Sequence, residues 1–358
     1  MSSITSALAG VPGVLSAEEL ALTARQLAAL QLPSGQLPWF ARGHCDPWNH
    51  VEVAMALTVS GYVEQARAAY KWLEASQLGD GSWFNYYVGD RVKDARLDTN
   101  VCAYVAAGLY HYLLATGDVD FVAELWPVVE RALEFVLRWQ LADGTIRWSL
   151  DAQGRPETYA LLTGSSSIFH SLCCGVLVAE RLDRAKPEWE LAASRLGHAV
   201  AHHPGAFAPK NEYAMDWYYP IFSGALRGPA GERRVDDAWE RHVMDGLGVR
   251  CVSTSDWVTA AETAECVLTL DALGLTSRAL DLFAWTGPHR REDGAYWTGI
   301  AYPQRVTFPD RETTSYTAAA VLLAADALTS SSEAAGIFRH GELANPLDLA
   351  EPGCPLAH

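Results

Sequence analysis

What most limits the fold of this chain is an alternation, six times over, of two kinds of helical segment. Residues 48–61, 98–116, 163–182, 216–226, 259–274 and 313–328 are apolar on nearly every face and rich in Ala, Leu, Gly and Ser. A helix that is apolar all round has to be buried. Between them run amphipathic, charged segments at 16–31, 63–77, 119–140, 188–201, 232–246 and 277–286. Their apolar residues recur at helical spacing, as a surface layer requires. Strand-like pieces are confined to 144–150 and 296–308.

Twelve helices in six outer-inner hairpins describe an all-α (α/α)6 barrel. Units of about 50 residues cannot bury themselves alone, and closing them into a ring covers every inner helix. Residues 1–329 are expected to form this single domain. From residue 330 the sequence loses periodicity, so 330–358 is expected to be an irregular C-terminal tail on the surface or disordered.

Charge and cysteine usage exclude several classes. The chain has 43 acidic and 27 basic residues, a net −16, so nucleic acid and anionic membranes are not expected partners. Seven Cys residues occur with no C-x-x-C pair, as in reduced cytoplasm. The N-terminal stretch has neither a basic region nor a sustained apolar run, so no secretory leader is expected, and no stretch approaches a membrane span. His44, Cys45, Asp46 and His50 match no standard zinc spacing, so neither metal nor cofactor is expected. Ser165–Ser167 lack a G-x-S-x-G nucleophile elbow.

The two ends of the barrel differ. Outer-to-inner connections (32–47, 78–97, 141–162, 202–215, 247–258, 287–312) are long, and the reverse connections are short. Long loops in a compact domain are usually functional. In or beside them fall Trp39, Trp48, Trp83, Trp148, Trp217, Trp257 and Trp297, whereas Trp72, Trp126, Trp139, Trp189, Trp239 and Trp285 lie on outer helices. Aromatic rings stack on the C–H faces of pyranoses, and Asp, Asn, His and Arg pair with their hydroxyls. The long-loop face therefore reads as a sugar site.

Carboxylates occur on all six hairpins, which permits glycoside hydrolysis without selecting the pair. Several also suit helix capping. Asp46-Pro47 has the form of an N-cap with Pro at the first helical position, and Thr259-Ala-Ala-Glu262 that of a capping box. Asp98, Thr163 and Asp216 stand where N-caps belong. Glu52 and Glu262 lie inside helices otherwise built of Val, Ala, Met and Leu, where an unpartnered carboxyl holds its proton tightly, as a general acid must.

Asp46-Pro-Trp-Asn, Gln77-Leu-Gly-Asp-Gly-Ser-Trp83 and Ser315-Tyr-Thr-Ala-Ala-Ala320 resemble the (α/α)6 glycoside hydrolases of glucoamylase type. That resemblance implies an acid at Glu157 and a base at Glu312. A closer one is to actinobacterial proteins labelled prenyltransferase-like. It rests on Asp46-Pro-Trp-Asn-His50, Leu97-Asp-Thr-Asn100, Leu162-Thr-Gly-Ser-Ser-Ser167, Met215-Asp-Trp-Tyr-Tyr-Pro220 and Trp257-Val-Thr-Ala-Ala-Glu262. Part of that group is similar to the mycobacterial endo-acting α-mannosidases of methylmannose polysaccharide. This implies hydrolysis of an α-linked oligo- or polysaccharide with Asp46 and Glu262 as the catalytic pair and Glu157 and Glu312 in reserve. Trp48, Asn49, Glu52, Trp83, Asp98, Asn100, Asp216, Trp217, Tyr218, Trp257 and Trp297 are the expected substrate-binding set.

Two other classes stand beside it. Gln77-x-x-x-Gly-x-Trp83, echoed at 140–145 and 292–297, resembles the QW repeats of isoprenoid cyclases and prenyltransferases, although the DxDD acid is absent. Such a repeat serves equally to stitch an outer helix to the next loop. Asp236-Asp237-x-x-Glu240 falls on an outer helix and reads as a solvated face. A non-catalytic sugar-binding barrel shares the same composition.

Overall fold

Helix starts in this chain are fixed by side chains that satisfy the free N–H groups of the first turn. The computed structural model, which describes residues 8–339 and 341, places outer and inner helices in strict alternation. Outer α1 (Ala17–Leu30) is followed by inner α2 (Pro47–Val59), outer α3 (Val63–Ser76), and inner α4 (Thr99–Ala103) and α5 (Val105–Thr116). Outer α6 (Val119–Leu137), inner α7 (Leu162–Arg181), outer α8 (Pro187–His202) and inner α9 (Ala214–Phe222) come next. Outer α10 (Gly228–His242), inner α11 (Ala260–Ala272), outer α12 (Thr276–Ala284) and inner α13 (Ser315–Thr329) complete the order. Ser16 and Glu19 form a capping box on α1, Asp46 caps α2, and Asp98 caps α4.

Burial separates the layers as the patterning requires. Every residue of α2 except Asn49 is buried, whereas on α10 only Gly231, Val235 and His242 are. Inner helices pack in sequence, α2 on α5, α5 on α7, α7 on α9, α9 on α11 and α11 on α13, and α13 packs on α2. Helix α7 is long and apolar enough by composition to cross a membrane, which corrects the expectation that no stretch approaches a span. It is also 72% buried within the protein, as an inner helix must be.

The outer layer is joined by one device repeated along the chain. Gln77 Nε2 donates to Gly81 O (3.0 Å), closing its own loop, and to Val128 O (2.9 Å) on α6. Gln31 does the same toward Gly35 O and Gln65 O on α3, and Gln140 toward Gly144 O and Ala192 O on α8. Each glycine has φ near +90° and lies against the backbone of the next outer helix, so a Cβ has no room. At the sixth hairpin Arg290 takes the place of Gln, donating to Glu19 O, and Gly294 lies against Leu22 and Thr23 of α1. The Gln–Trp repeat is thus a stitch between outer helices.

Short strands line the long-loop end. β1 (Tyr86–Val88) pairs with β2 (Arg91–Asp94), and β3 (Leu97–Asp98) with β4 (Ser149–Leu150), both antiparallel. β5 (Val243–Met244), β6 (Gly248–Arg250), β7 (Trp257–Thr259), β8 (Gly299–Ala301) and β9 (Val306–Thr307) make one antiparallel sheet in that order. β4 falls within the expected strand-like piece 144–150, and β8 and β9 within 296–308, whereas β5, β6 and β7, two or three residues long, show no alternation to read. At the opposite end, residues 330–339 turn back under the helices. Phe338 stacks on Phe222 with ring centres 4.2 Å apart, and Arg339 Nε donates to Asp271 Oδ2 (2.7 Å). Residue 340 and the rest of the expected tail, 342–358, lie outside the described residues.

Candidate active site

Inner helices of this plan present their N-termini to the long-loop end, and there the chain opens a cavity of about 370 Å³. Its wall is aromatic: Trp39, Trp48, Tyr86, Trp148, Tyr219 and Tyr316. Five carboxyl groups face it, Asp46, Glu52, Asp98, Glu262 and Glu265, with Arg96 as the one lysine or arginine among the described lining residues. Arg96 pairs with Asp94 (2.7 Å) and lies over the Trp148 ring.

Two of these carboxyls are N-caps held by a loop tryptophan. Asp46 accepts from Asn49 N (2.9 Å), Asn49 Nδ2 (2.7 Å) and Trp39 Nε1 (2.6 Å). Asp98 accepts from Asn100 N, Val101 N and Trp148 Nε1 (2.6 Å). Burial pushes both above the ordinary aspartate range, Asp98 to about 6, while these donors pull the other way. Asp46 is therefore cap and cavity group at once.

Glu262 differs. Thr259, the N-cap of α11, makes no side-chain capping bond, so the expected capping box does not form. The Glu262 carboxyl turns instead to the cavity, within hydrogen-bond reach of the Cys251 thiol and close to Tyr316. Because α13 packs between α2 and α11, Asp46 and Glu262 stand on the two walls that flank it.

Trp48, Asn49, Glu52, Asp98 and Asn100 of the expected binding set also line the cavity. Trp48 stacks on Tyr104 (4.3 Å between ring centres) and donates to Ser167 Oγ (3.1 Å). The other expected binding residues lie outside this cavity. Trp83 is 0% exposed and donates to Leu73 O, so it has no face for a sugar. Trp217 donates to Arg234 O and stacks on His242, in a side groove against α10. Asp216 lies behind Thr163, accepting from its N–H and hydroxyl and so capping α7 from the neighbouring helix. Tyr218 is fully buried beneath the floor, with its hydroxyl on Glu265. Trp257 donates to Phe308 O, and Trp297 lies under Arg291 and Arg311; neither lines the cavity.

Of the reserve carboxylates, Glu157 sits on the 141–162 loop, its backbone bonded to Ser149 and Arg147. Glu312 accepts from the Thr298 hydroxyl (3.2 Å). Neither faces the cavity. Among the lining carboxyls, the one that the sequence reading overlooked is Glu265. Its signal was available: a second Glu three residues beyond Glu262 on a helix otherwise fit for burial.

The MMP endo-(1,4)-3-O-methyl-alpha-D-mannosidase of Mycolicibacterium hassiacum is 49% identical to this chain over 342 residues, 96% of this chain and 95% of that protein. The chain belongs to that family. It is a glycoside hydrolase. No family model matches the sequence. Similar solved structures include a D-mannose isomerase (TM-score 0.66, 11% identity, 88% of this chain and 99% of that one). A glycosidase in complex with glucose superposes with TM-score 0.66 at 14% identity, over 88% of this chain and 98% of that one. The cellobiose 2-epimerase of Spirochaeta thermophila DSM 6192 gives TM-score 0.65 at 13% identity, over 87% and 96%. At such identities these likenesses establish the fold alone, one shared by helical glycosidases and sugar epimerases.

Proposed function

We propose that this chain cleaves α-1,4 bonds inside a 3-O-methylmannose polysaccharide, with Asp46 and Glu262 as the reacting carboxyl pair. One observation carries the assignment: these two groups, from α2 and α11, face a single aromatic-walled cavity on either side of α13. In the reaction one carboxyl protonates the departing glycosidic oxygen while its partner assists attack at the anomeric carbon. One water is consumed, its hydroxyl ending on that carbon and its remaining proton restoring the acid. Trp39, Trp48, Tyr86, Trp148, Tyr219 and Tyr316 supply stacking faces for the sugars. Five carboxyls against one arginine disfavour a prenyl diphosphate in this cavity.

The same reading takes the six hairpins as a closed (α/α)6 barrel forming one domain through residue 329. Packing of α13 on α2, the stitch from Arg290 and Gly294 to α1, and the Ser315 N–H and hydroxyl bonds to Trp39 O and Pro38 O support closure. Six unpaired thiols among the described residues support a cytoplasmic site of action.

Asp46→Asn and Glu262→Gln test the pair on an α-1,4-linked 3-O-methylmannose oligosaccharide. Each is expected to lower kcat by at least about a hundredfold with little change in melting temperature, because at Asp46 an amide oxygen still accepts the capping bond and Glu262 caps no helix. Retained turnover in both variants refutes the pair, and binding without turnover by the native chain favours a sugar-binding barrel.

A further inference from the structure

Beneath the reacting pair lies a second pair of carboxyl groups that the proposed chemistry does not use. Inner helices enter the cavity N-terminus first, so residues further along a helix lie deeper. Glu52 follows Asp46 by six residues on α2, and Glu265 follows Glu262 by three on α11, about 9 and 4.5 Å of helix rise. Both line the cavity, and each is only 4% exposed.

Their partners differ in kind. Glu265 accepts a hydroxyl proton at each oxygen, from Tyr219 (2.8 Å) and from Tyr218. Glu52, buried as deeply, has no hydrogen-bond partner among the described residues and faces the open space of the cavity. We propose that Glu52 carries a proton and offers its carboxyl O–H to a sugar hydroxyl at the cavity floor, with Glu265 as the positioning residue whose oxygens are committed to the two tyrosines. This rests on the reading of the cavity as a glycosidase site.

Charge and hydrogen-bond chemistry point the same way. Two phenolic donors suit an acceptor, so the carboxyl of the pair with no donors aimed at it is the better place for a proton. A neutral carboxyl both donates and accepts, which is what a sugar hydroxyl requires. The groups facing the pair are Asp46 at the start of α2, Glu262 and Cys266 on α11, Cys251 just after β6, and Tyr218 and Tyr219 on α9. Tyr104, at the α4–α5 junction, adds its hydroxyl, with Tyr70 of α3 and Cys174 of α7 behind it. No cation stands among them to favour a second negative charge. Burial, then repulsion from Glu265, Asp46 and Glu262, pushes Glu52 well above the ordinary glutamate range. Burial lifts Glu265 to about 8 against its two tyrosine donors.

While the pair keeps its proton the floor has a donor. Once rising pH ionises both carboxyls, two charges face each other and the sugar loses its partner. Raised folded-state values contribute stability that is fully present below the ordinary 4.5, and the share from Glu265 is lost as pH rises through about 8.

Infrared difference spectra and kinetics on the α-1,4-linked 3-O-methylmannose oligosaccharide test the assignment together. At pH 7, native minus Glu52→Gln is expected to show the carbonyl stretch of a protonated carboxylic acid. Glu52→Ala is expected to raise KM at least tenfold while kcat changes less than threefold. Glu52→Gln, whose amide keeps a donor, is expected to regain most of that affinity and to abolish the rise in KM expected of the native enzyme at alkaline pH. Absence of the band overturns the proposal, as does an unchanged KM in Glu52→Ala. A hundredfold loss of kcat in Glu52→Gln at every pH does so too, since it makes Glu52 a reacting group. If Glu52→Ala does not fold, the band and the pH response of Glu52→Gln decide alone. Failure of the Asp46–Glu262 assignment reads differently: the amide variants of that pair keep turnover while the Glu52 band remains.

Discussion

A tryptophan in a long loop can face a ligand or anchor the loop, and the partner of its indole N–H separates the two. Trp39 and Trp148 spend theirs on cap carboxylates in the cavity, whereas Trp83, Trp217 and Trp257 spend theirs on backbone carbonyls away from it. Position along the chain was legible; the acceptor was not, because it is supplied by residues up to 51 positions away. The carboxyls that line the cavity were more readable, since a Glu within an all-apolar helix has few other reasons to be there, and the same logic extended three residues reaches Glu265. Trp39→Phe gives a direct test of Asp46. It removes the 2.6 Å donor and keeps the ring that packs on Tyr316. A donor to the ionised form lowers a carboxyl's pKa, so its loss raises that of Asp46 further. The limb of the pH–rate profile that belongs to Asp46 is expected to shift to higher pH: the acidic limb if Asp46 works ionised, the alkaline limb if it works protonated. A profile in which neither limb moves removes Asp46 from the chemistry.

Among elements, helix order and layer were legible, with ends displaced by up to four residues at α9 and α10, because inner and outer helices differ in kind: apolar on all faces against apolar on one. What was not legible was how neighbouring outer helices hold together. The Gln–Gly stitch needs a carbonyl 34 to 52 residues further on, and no local pattern reveals which one. Gly81 shows how tight the join is. Its φ is +94° and the space a Cβ needs is filled by the Arg131 backbone. Gly81→Ala is expected to cost about 2–4 kcal/mol, combining left-handed backbone strain with a clash that cannot relax by a rotamer change. Gln77→Leu, which leaves the Gly81 and Val128 carbonyls without their donor, is expected to cost about 1–2 kcal/mol. Urea denaturation of both variants measures this. Costs below about 0.5 kcal/mol for both would make the stitch incidental to the fold. Neither substitution touches the cavity, so kcat per folded molecule is expected to hold.

On the scale of the whole molecule, the proposed ring has a consequence that an open row of hairpins lacks. In an open row each unit leans only on its neighbours, and a defect at either end melts that end first. In a closed ring the seam between the sixth and first hairpins equals any internal seam. That seam is where Arg290 and Gly294 meet α1, with Gly294 at φ +88° and its would-be Cβ 2.9 Å from the Leu22 and Thr23 backbone. Gly294→Ala is therefore expected to destabilise the entire molecule by about as much as Gly81→Ala, about 2–4 kcal/mol. Unfolding is expected to stay a single transition whose calorimetric and van't Hoff enthalpies agree. Residues 330–339 reinforce the coupling, since Phe338 and Arg339 tie the last hairpin to α9 and α11 across the short-loop end. The comparison between the two glycines is what discriminates. Equal losses with one transition mean that the first and last hairpins share the load, and the cavity at the centre keeps its shape only while all six hold. A separate early melting step in Gly294→Ala, with the native transition left where it was, would mean an open array and would set aside the closed barrel.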